Sequence, residues 1–93
     1  MSDVFTALAH PARRKILNLL RKGAMSAGDL AAHFDLAKPT LSGHFAVLKA
    51  ADLVTSERKG TTILYRLNMS VLEEAVAAMM DLTDVKATKE PKS

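Results

Sequence analysis

Apolar residues recur at helical spacing along most of this chain, and the spacing switches once to strand-like alternation. Val4, Phe5 and Leu8 share one face of a short first helix over residues 3–9, with Ser2 placed to cap it. Pro11 lacks an N–H and suits a first helical turn, so a second helix opens there and runs to about Lys22, where Gly23 ends it. Its inward face is Ile16, Leu17 and Leu20. Ser26 opens a third helix, with Asp29 at the spacing of an N-terminal capping pair and Leu30, Ala31 and Phe34 as apolar positions. Asp35, Leu36 and Ala37 form a three-residue turn, and a fourth helix follows from Lys38 to about Ala51. Leu41, Phe45 and Leu48, at i, i+4 and i+7, turn one side of it to the core. Two strand-like runs, Leu53 to Glu57 and Thr62 to Leu67, then flank the tip Arg58-Lys59-Gly60-Thr61. Alternation of Leu64 with Tyr65 and Arg66 gives that hairpin one buried and one wet face. A fifth helix spans about Ser70 to Asp81, started by the capping box Ser70-Val71-Leu72-Glu73 or by Asn68.

The expected architecture is therefore mainly α with a small β-hairpin, in the order helix-helix-helix-helix-strand-strand-helix. Residues 1–82 form one domain, and residues 83–93, polar and carrying Pro91, form a disordered tail. Charge refines the picture. Residues 1–67 hold 10 lysines and arginines against 5 acidic residues, whereas residues 68–93 hold 3 against 5. A basic excess confined to one part of the chain suits a polyanion or an ordinary solvated surface. The chain has no cysteine, which removes disulfides, thiolate metal sites and cysteine nucleophiles together. Neither a membrane-length apolar run nor a secretory signal pattern is visible, so a cytoplasmic protein is expected. No nucleophile–base pair, phosphate loop or metal set suggests an enzyme.

The third and fourth helices with their tight turn read as a helix-turn-helix, and the basic hairpin adds a wing. Three segments carry a family resemblance: His10-Pro11-Ala12-Arg13-Arg14-Lys15-Ile16-Leu17, Ser42-Gly43-His44-Phe45-Ala46-Val47-Leu48, and Lys59-Gly60-Thr61-Thr62-Ile63-Leu64-Tyr65-Arg66-Leu67. In this order and spacing, they resemble the arsenical-resistance-repressor family of winged helix-turn-helix regulators, and within it the sporulation-delay subgroup. The resemblance covers roughly residues 3–82. It implies a homodimeric repressor of double-stranded DNA, dimeric through the first and fifth helices. The fourth helices would enter successive major grooves of a near-palindromic operator, and the wings would reach the flanking backbone.

The residues can be weighed against each of these implications. Opposite its core stripe the fourth helix carries Thr40, Ser42, Gly43 and Ala46, with Lys38 at its start. Small and hydrogen-bonding residues let a helix backbone approach base edges, whereas a merely solvated face usually carries Glu and Lys. Gly43 costs about 1 kcal/mol relative to Ala inside a helix, and close approach to DNA is one reason to keep it. Ala37 cannot cap as Ser or Thr does in relatives. His44 sits at the edge of the core stripe and has two readings, a DNA contact by resemblance or a boundary histidine bonded to backbone or water. Arg58 and Lys59, with Thr61 and Thr62, place cations and hydroxyls on the wing for phosphate contact. Arg13 reads as a structural ion pair or a dimer contact, while Arg14 and Lys15 add weak phosphate attraction. His10 suits capping or packing.

The fifth helix is more apolar than one small domain can hide. Leu72, Val76, Met79 and Met80, with Val4, Phe5 and Leu8 of the first helix, form the expected two-fold interface. Metal-sensing relatives use cysteine pairs near the third helix, or Asp, His and Glu on the fifth. Here the former region reads Ser26, Ala27 and Gly28, and no histidine follows His44, so no metal or other cofactor is expected. Relief of repression would then come from a small-molecule inducer, a sequestering protein or autorepression. The competing reading is a winged-helix protein-interaction module that has lost specific DNA binding.

Overall fold

The computed structural model describes residues 3–83. Eight elements follow in order: α1 (Val4–Leu8), α2 (Pro11–Leu20), β1 (Met25–Ser26), α3 (Ala27–Ala31), α4 (Lys38–Ala50), β2 (Val54–Lys59), β3 (Thr62–Leu67) and α5 (Met69–Leu82). The strands form one antiparallel sheet in the order β1-β3-β2. Five helices and the β2–β3 hairpin match the expected winged helix-turn-helix order; β1 is additional. It is only two residues long, and Met25 and Ser26 pair with Tyr65 and Leu64. A run that short shows no alternation of its own.

Local chemistry sets the boundaries. Asp3, rather than Ser2, caps α1: its carboxylate accepts from the Phe5 N–H at 2.9 Å and from the Thr6 hydroxyl at 2.7 Å. The His10 ring accepts from the Ala12 N–H at 3.1 Å and so caps α2 ahead of Pro11. That helix closes at Leu20, two residues before the expected end, and Gly23 takes a φ of 145° that a side chain would resist. Ser26 Oγ accepts from the Asp29 N–H at 3.0 Å, the expected first half of a capping pair. The helix it opens stops at Ala31, so Phe34 packs from the following turn.

A left-handed Asp52 (φ 62°) ends α4 in a Schellman arrangement, in which Leu53 N–H reaches Leu48 O at 3.0 Å and Asp52 N–H reaches Lys49 O at 2.9 Å. Leu53 thereby enters the core before β2 begins at Val54. The α5 helix starts at Met69, so Asn68 occupies the cap position, without a side-chain hydrogen bond, and the expected Ser70 box does not form the cap. Thr83 caps its C-terminal end. Apart from Thr83, the expected tail lies outside the described residues.

The core gathers Ile16, Leu17 and Leu20 of α2, Leu30 of α3, Leu41, Phe45 and Leu48 of α4, and Leu53, Val54 and Tyr65 of the sheet region. Ile16, Leu30, Leu48 and Leu53 are fully buried. On β3 the inward side chain is Tyr65, flanked on the same face by Ile63 and Leu67; Leu64 and Arg66 face the other way. Phe45 and Tyr65 pack ring to ring at 4.5 Å, which fixes the wing against α4. The last helix is attached differently. Ala75 is its only buried residue among those described, with Val71 and Leu72 half-buried.

Candidate nucleic-acid interface

The outer side of α4 is an open surface. Lys38, Thr40, Ser42, Gly43, Ala46 and Val47 are all exposed, and Leu41, His44, Phe45 and Leu48 are turned inward. Thr40, Gly43 and Val47 follow at i, i+3 and i+7 and share a side. Ala37 provides no side-chain cap, so the first N–H groups of α4 lack a side-chain partner there.

The wing differs in detail from the expected tip. Arg58 and Lys59 are the last two residues of β2, and the turn is the two-residue pair Gly60-Thr61. Gly60 at φ 62° supplies the left-handed first position of a tight hairpin turn. Consecutive strand residues point to opposite faces, so the two cations part. Arg58 lies opposite Ile63, on the Tyr65 side, whereas Lys59 lies with Glu57 and Arg66. Glu57 sits 4.0 Å from Lys59 and 3.8 Å from Arg66. These pairs are exposed and add little stability. Their effect is local, because a carboxylate occupies part of the basic wing. Thr61 and Thr62 are exposed beside them.

His44 does not join the exposed face. It is buried at 9% exposure, and its Nδ1 accepts from Arg13 Nη1 at 3.2 Å while its ring lies 4.4 Å from that of His10. Burial first, then the positive potential of His10 and Arg13, holds its pKa below the ordinary histidine value. Among the described residues Arg13 forms no ion pair, contrary to one of its two expected roles. It donates to Ala7 O at 2.9 Å, to Thr6 O at 3.2 Å and to His44. Arg14 donates to Leu8 O at 2.8 Å. Lys15 donates to His33 O at 2.7 Å and lies 4.7 Å over the Phe34 ring. The cations of this segment thus fasten helices together, which spacing alone could not reveal.

The comparisons with known proteins agree on one lineage. Residues 10–56 match the family described as bacterial regulatory protein, arsR family. The transcriptional repressor SdpR of Bacillus subtilis (strain 168) is 46% identical over 81 residues, covering 87% of this chain and 90% of that protein. The arsenical resistance operon repressor of Staphylococcus xylosus is 38% identical over 73 residues, covering 78% and 70%. Among solved structures, an ArsR-like transcriptional regulator from Rhodococcus sp. RHA1 superposes with a TM-score of 0.79 at 27% identity, covering 92% of this chain and 79% of that one. The chain belongs to the arsR family. It is a DNA-binding transcription regulator, not an enzyme.

Within this arsR-family frame, sequence reasoning passed over two residues. Val47, at 36% exposure, is an apolar side chain off the core stripe, on the same side of α4 as the exposed Thr40 and Gly43. Glu57 escaped notice because a single acid in a basic hairpin looks like solvated surface.

Two expected results arise here. A Cβ added at Gly43 would meet nothing within 4 Å. Gly43→Ala should therefore stabilise the fold by about 1 kcal/mol, a rise of roughly 4–8 °C in Tm. If the α4 backbone lies close to the bases, the same methyl weakens operator binding; a higher Tm with unchanged affinity would contradict close approach. The second result concerns pH. Because folding lowers the His44 pKa, the unfolded chain binds more protons below the ordinary value of about 6.5. The stability contribution is complete above that value and is lost as pH falls through the folded-state pKa. Urea unfolding midpoints should drop on acidification across this window, and His44→Gln should remove that component of the drop.

Proposed function

We propose that this chain is a cytoplasmic, homodimeric, metal-independent repressor that binds a near-palindromic duplex operator. The observation that carries the DNA contact is the exposed outer side of α4, where Thr40, Ser42 and Gly43 stand with Lys38 at the start. Thr40 and Ser42 offer hydroxyls to base edges or phosphates, and Lys38 neutralises a phosphate near the helix start. Arg58, Lys59, Thr61 and Thr62 of the wing add backbone contacts outside the groove. His44 supports the helix from within.

Dimerisation is supported by the apolar surface that one chain leaves uncovered. Phe5, Val76, Met79 and Met80 are 41–52% exposed, and Val4, Leu8 and Leu72 are half-buried beside them. A terminal helix that buries only Ala75 gains most from a partner. Repression follows the named relatives, which are repressors. Metal independence follows from the absence of cysteine and of any histidine beyond His44. Relief then falls to a small molecule or a sequestering protein.

Selection of duplexes from a random-sequence pool, with chelator present, tests this reading. A two-fold symmetric consensus with half-sites about one helical turn apart, roughly 10 base pairs, is the expected product. Recovery of unrelated duplexes without a consensus would support the protein-interaction alternative instead.

A further inference from the structure

The guanidinium of Arg13 joins three elements. It starts from α2, binds the C-terminal end of α1 through Ala7 O and Thr6 O, and reaches His44 on α4. The first of these helices is only five residues long, too short to persist alone, and its last carbonyls have no partners within the helix. Arg14 helps to hold it through Leu8 O. Among the described residues, only Arg13 continues this attachment by a side-chain hydrogen bond to α4. His44, in turn, follows Gly43 directly and lies one turn beyond Thr40, both on the exposed side. A helix of the proposed interface and the helix proposed to read DNA thus pack on each other, and one arginine supplies the hydrogen bonds that run between them.

We infer that Arg13 is a positioning residue for operator binding, which sets α4 relative to the two-fold axis by tying α1 to His44. This rests on the dimeric DNA-binding reading above. In a two-fold dimer the placement of α1 fixes how far apart the two α4 helices lie, and hence which half-site spacing fits. The tie has a definite protonation requirement. Arg13 can only donate, so His44 Nδ1 must be a free lone pair, with the ring neutral and its proton on Nε2. A proton on Nδ1 would bring two cations to 3.2 Å. The charged or titratable groups acting on His44 are His10 and Arg13, both from the α2 side. From α1 only carbonyls take part, through Arg13. No carboxylate lies within ion-pair distance of His44 among the described residues.

The test uses the full chain, a symmetric duplex selected as above, the same duplex with one or two base pairs inserted between half-sites, and an unrelated duplex. Arg13→Lys keeps the charge but cannot span three acceptors. It should remain a dimer in sedimentation and bind unrelated duplex as before. Its affinity for the symmetric duplex should fall about tenfold, the scale of one lost hydrogen bond per protomer, and the preference for native spacing should collapse. From about pH 7.5 to 5.5, wild-type affinity for the symmetric duplex should also fall, while unrelated duplex binds no more weakly, because added histidine charge favours phosphate. Gln can accept from Arg13 without titrating, so His44→Gln should keep the spacing preference and lose the pH dependence. Arg13→Lys with wild-type spacing preference, or His44→Gln with the wild-type pH profile, would overturn the assignment. A wild-type chain indifferent to symmetric duplex at every pH would instead overturn the reading beneath it.

Discussion

Val76→Glu should separate the proposed dimer into folded single chains and abolish operator binding in the same step. Val76 is 52% exposed in the single chain, so a carboxylate there is hydrated and the fold tolerates it. In a two-fold interface the same position is buried twice. The effective penalty for burying an ion is several kcal/mol, so two carboxylates weaken association by roughly a thousandfold or more. A single chain offers one α4 to one half-site, so the loss of operator affinity should track the loss of dimer. Light scattering and far-ultraviolet circular dichroism on the same sample separate the outcomes. A helical chain at monomer mass fits the account. A dimer that survives Val76→Glu would place the interface elsewhere, and Val76→Ala, milder by removal of the charge, should retain most of the association.

The second large effect is expected in the wing. Arg58→Ala combined with Lys59→Ala removes four cations from a dimer. Each neutralised phosphate contributes about 0.9 to the slope of log affinity against log salt, so the slope should flatten by up to about 3.6 and affinity at 0.1 M salt should drop roughly a hundredfold or more. The loss should fall on all duplexes alike, since phosphate contacts position the protein without reading sequence. The hairpin geometry sharpens this expectation. Arg58 and Lys59 point to opposite faces, and Lys59 already faces Glu57 at 4.0 Å. A change near 1.8 would mean that only one cation per wing reaches DNA. An unchanged slope would remove the wing from the interface.

Helical periodicity makes the outer side of α4 readable from sequence, because Leu41, Phe45 and Leu48 leave little choice about which way the helix faces. Turn chemistry was readable where one residue dominates, as at Pro11 and Ser26. What escaped was set by distant partners. The role of His44 depends on Arg13, 31 residues away, and no local pattern distinguishes an inward from an outward histidine at a stripe edge. The two-residue β1 exists only because β3 offers it an edge. Charged side chains at the end of β2 look like turn residues, so Arg58 and Lys59 were expected at the tip although they belong to the strand. Alternation of Leu64 with Tyr65 and Arg66 marks a half-buried strand without saying which face turns in, and the inward position belongs to Tyr65, whose ring packs on Phe45.

The most direct test of the central claim is fluorescence anisotropy with the duplex upstream of the protein's own coding sequence, at two salt concentrations, with chelator and excess unrelated duplex present. Tight binding that resists the competitor and weakens steeply with salt is the predicted result. Weak binding, equal on both duplexes and insensitive to salt, would contradict it.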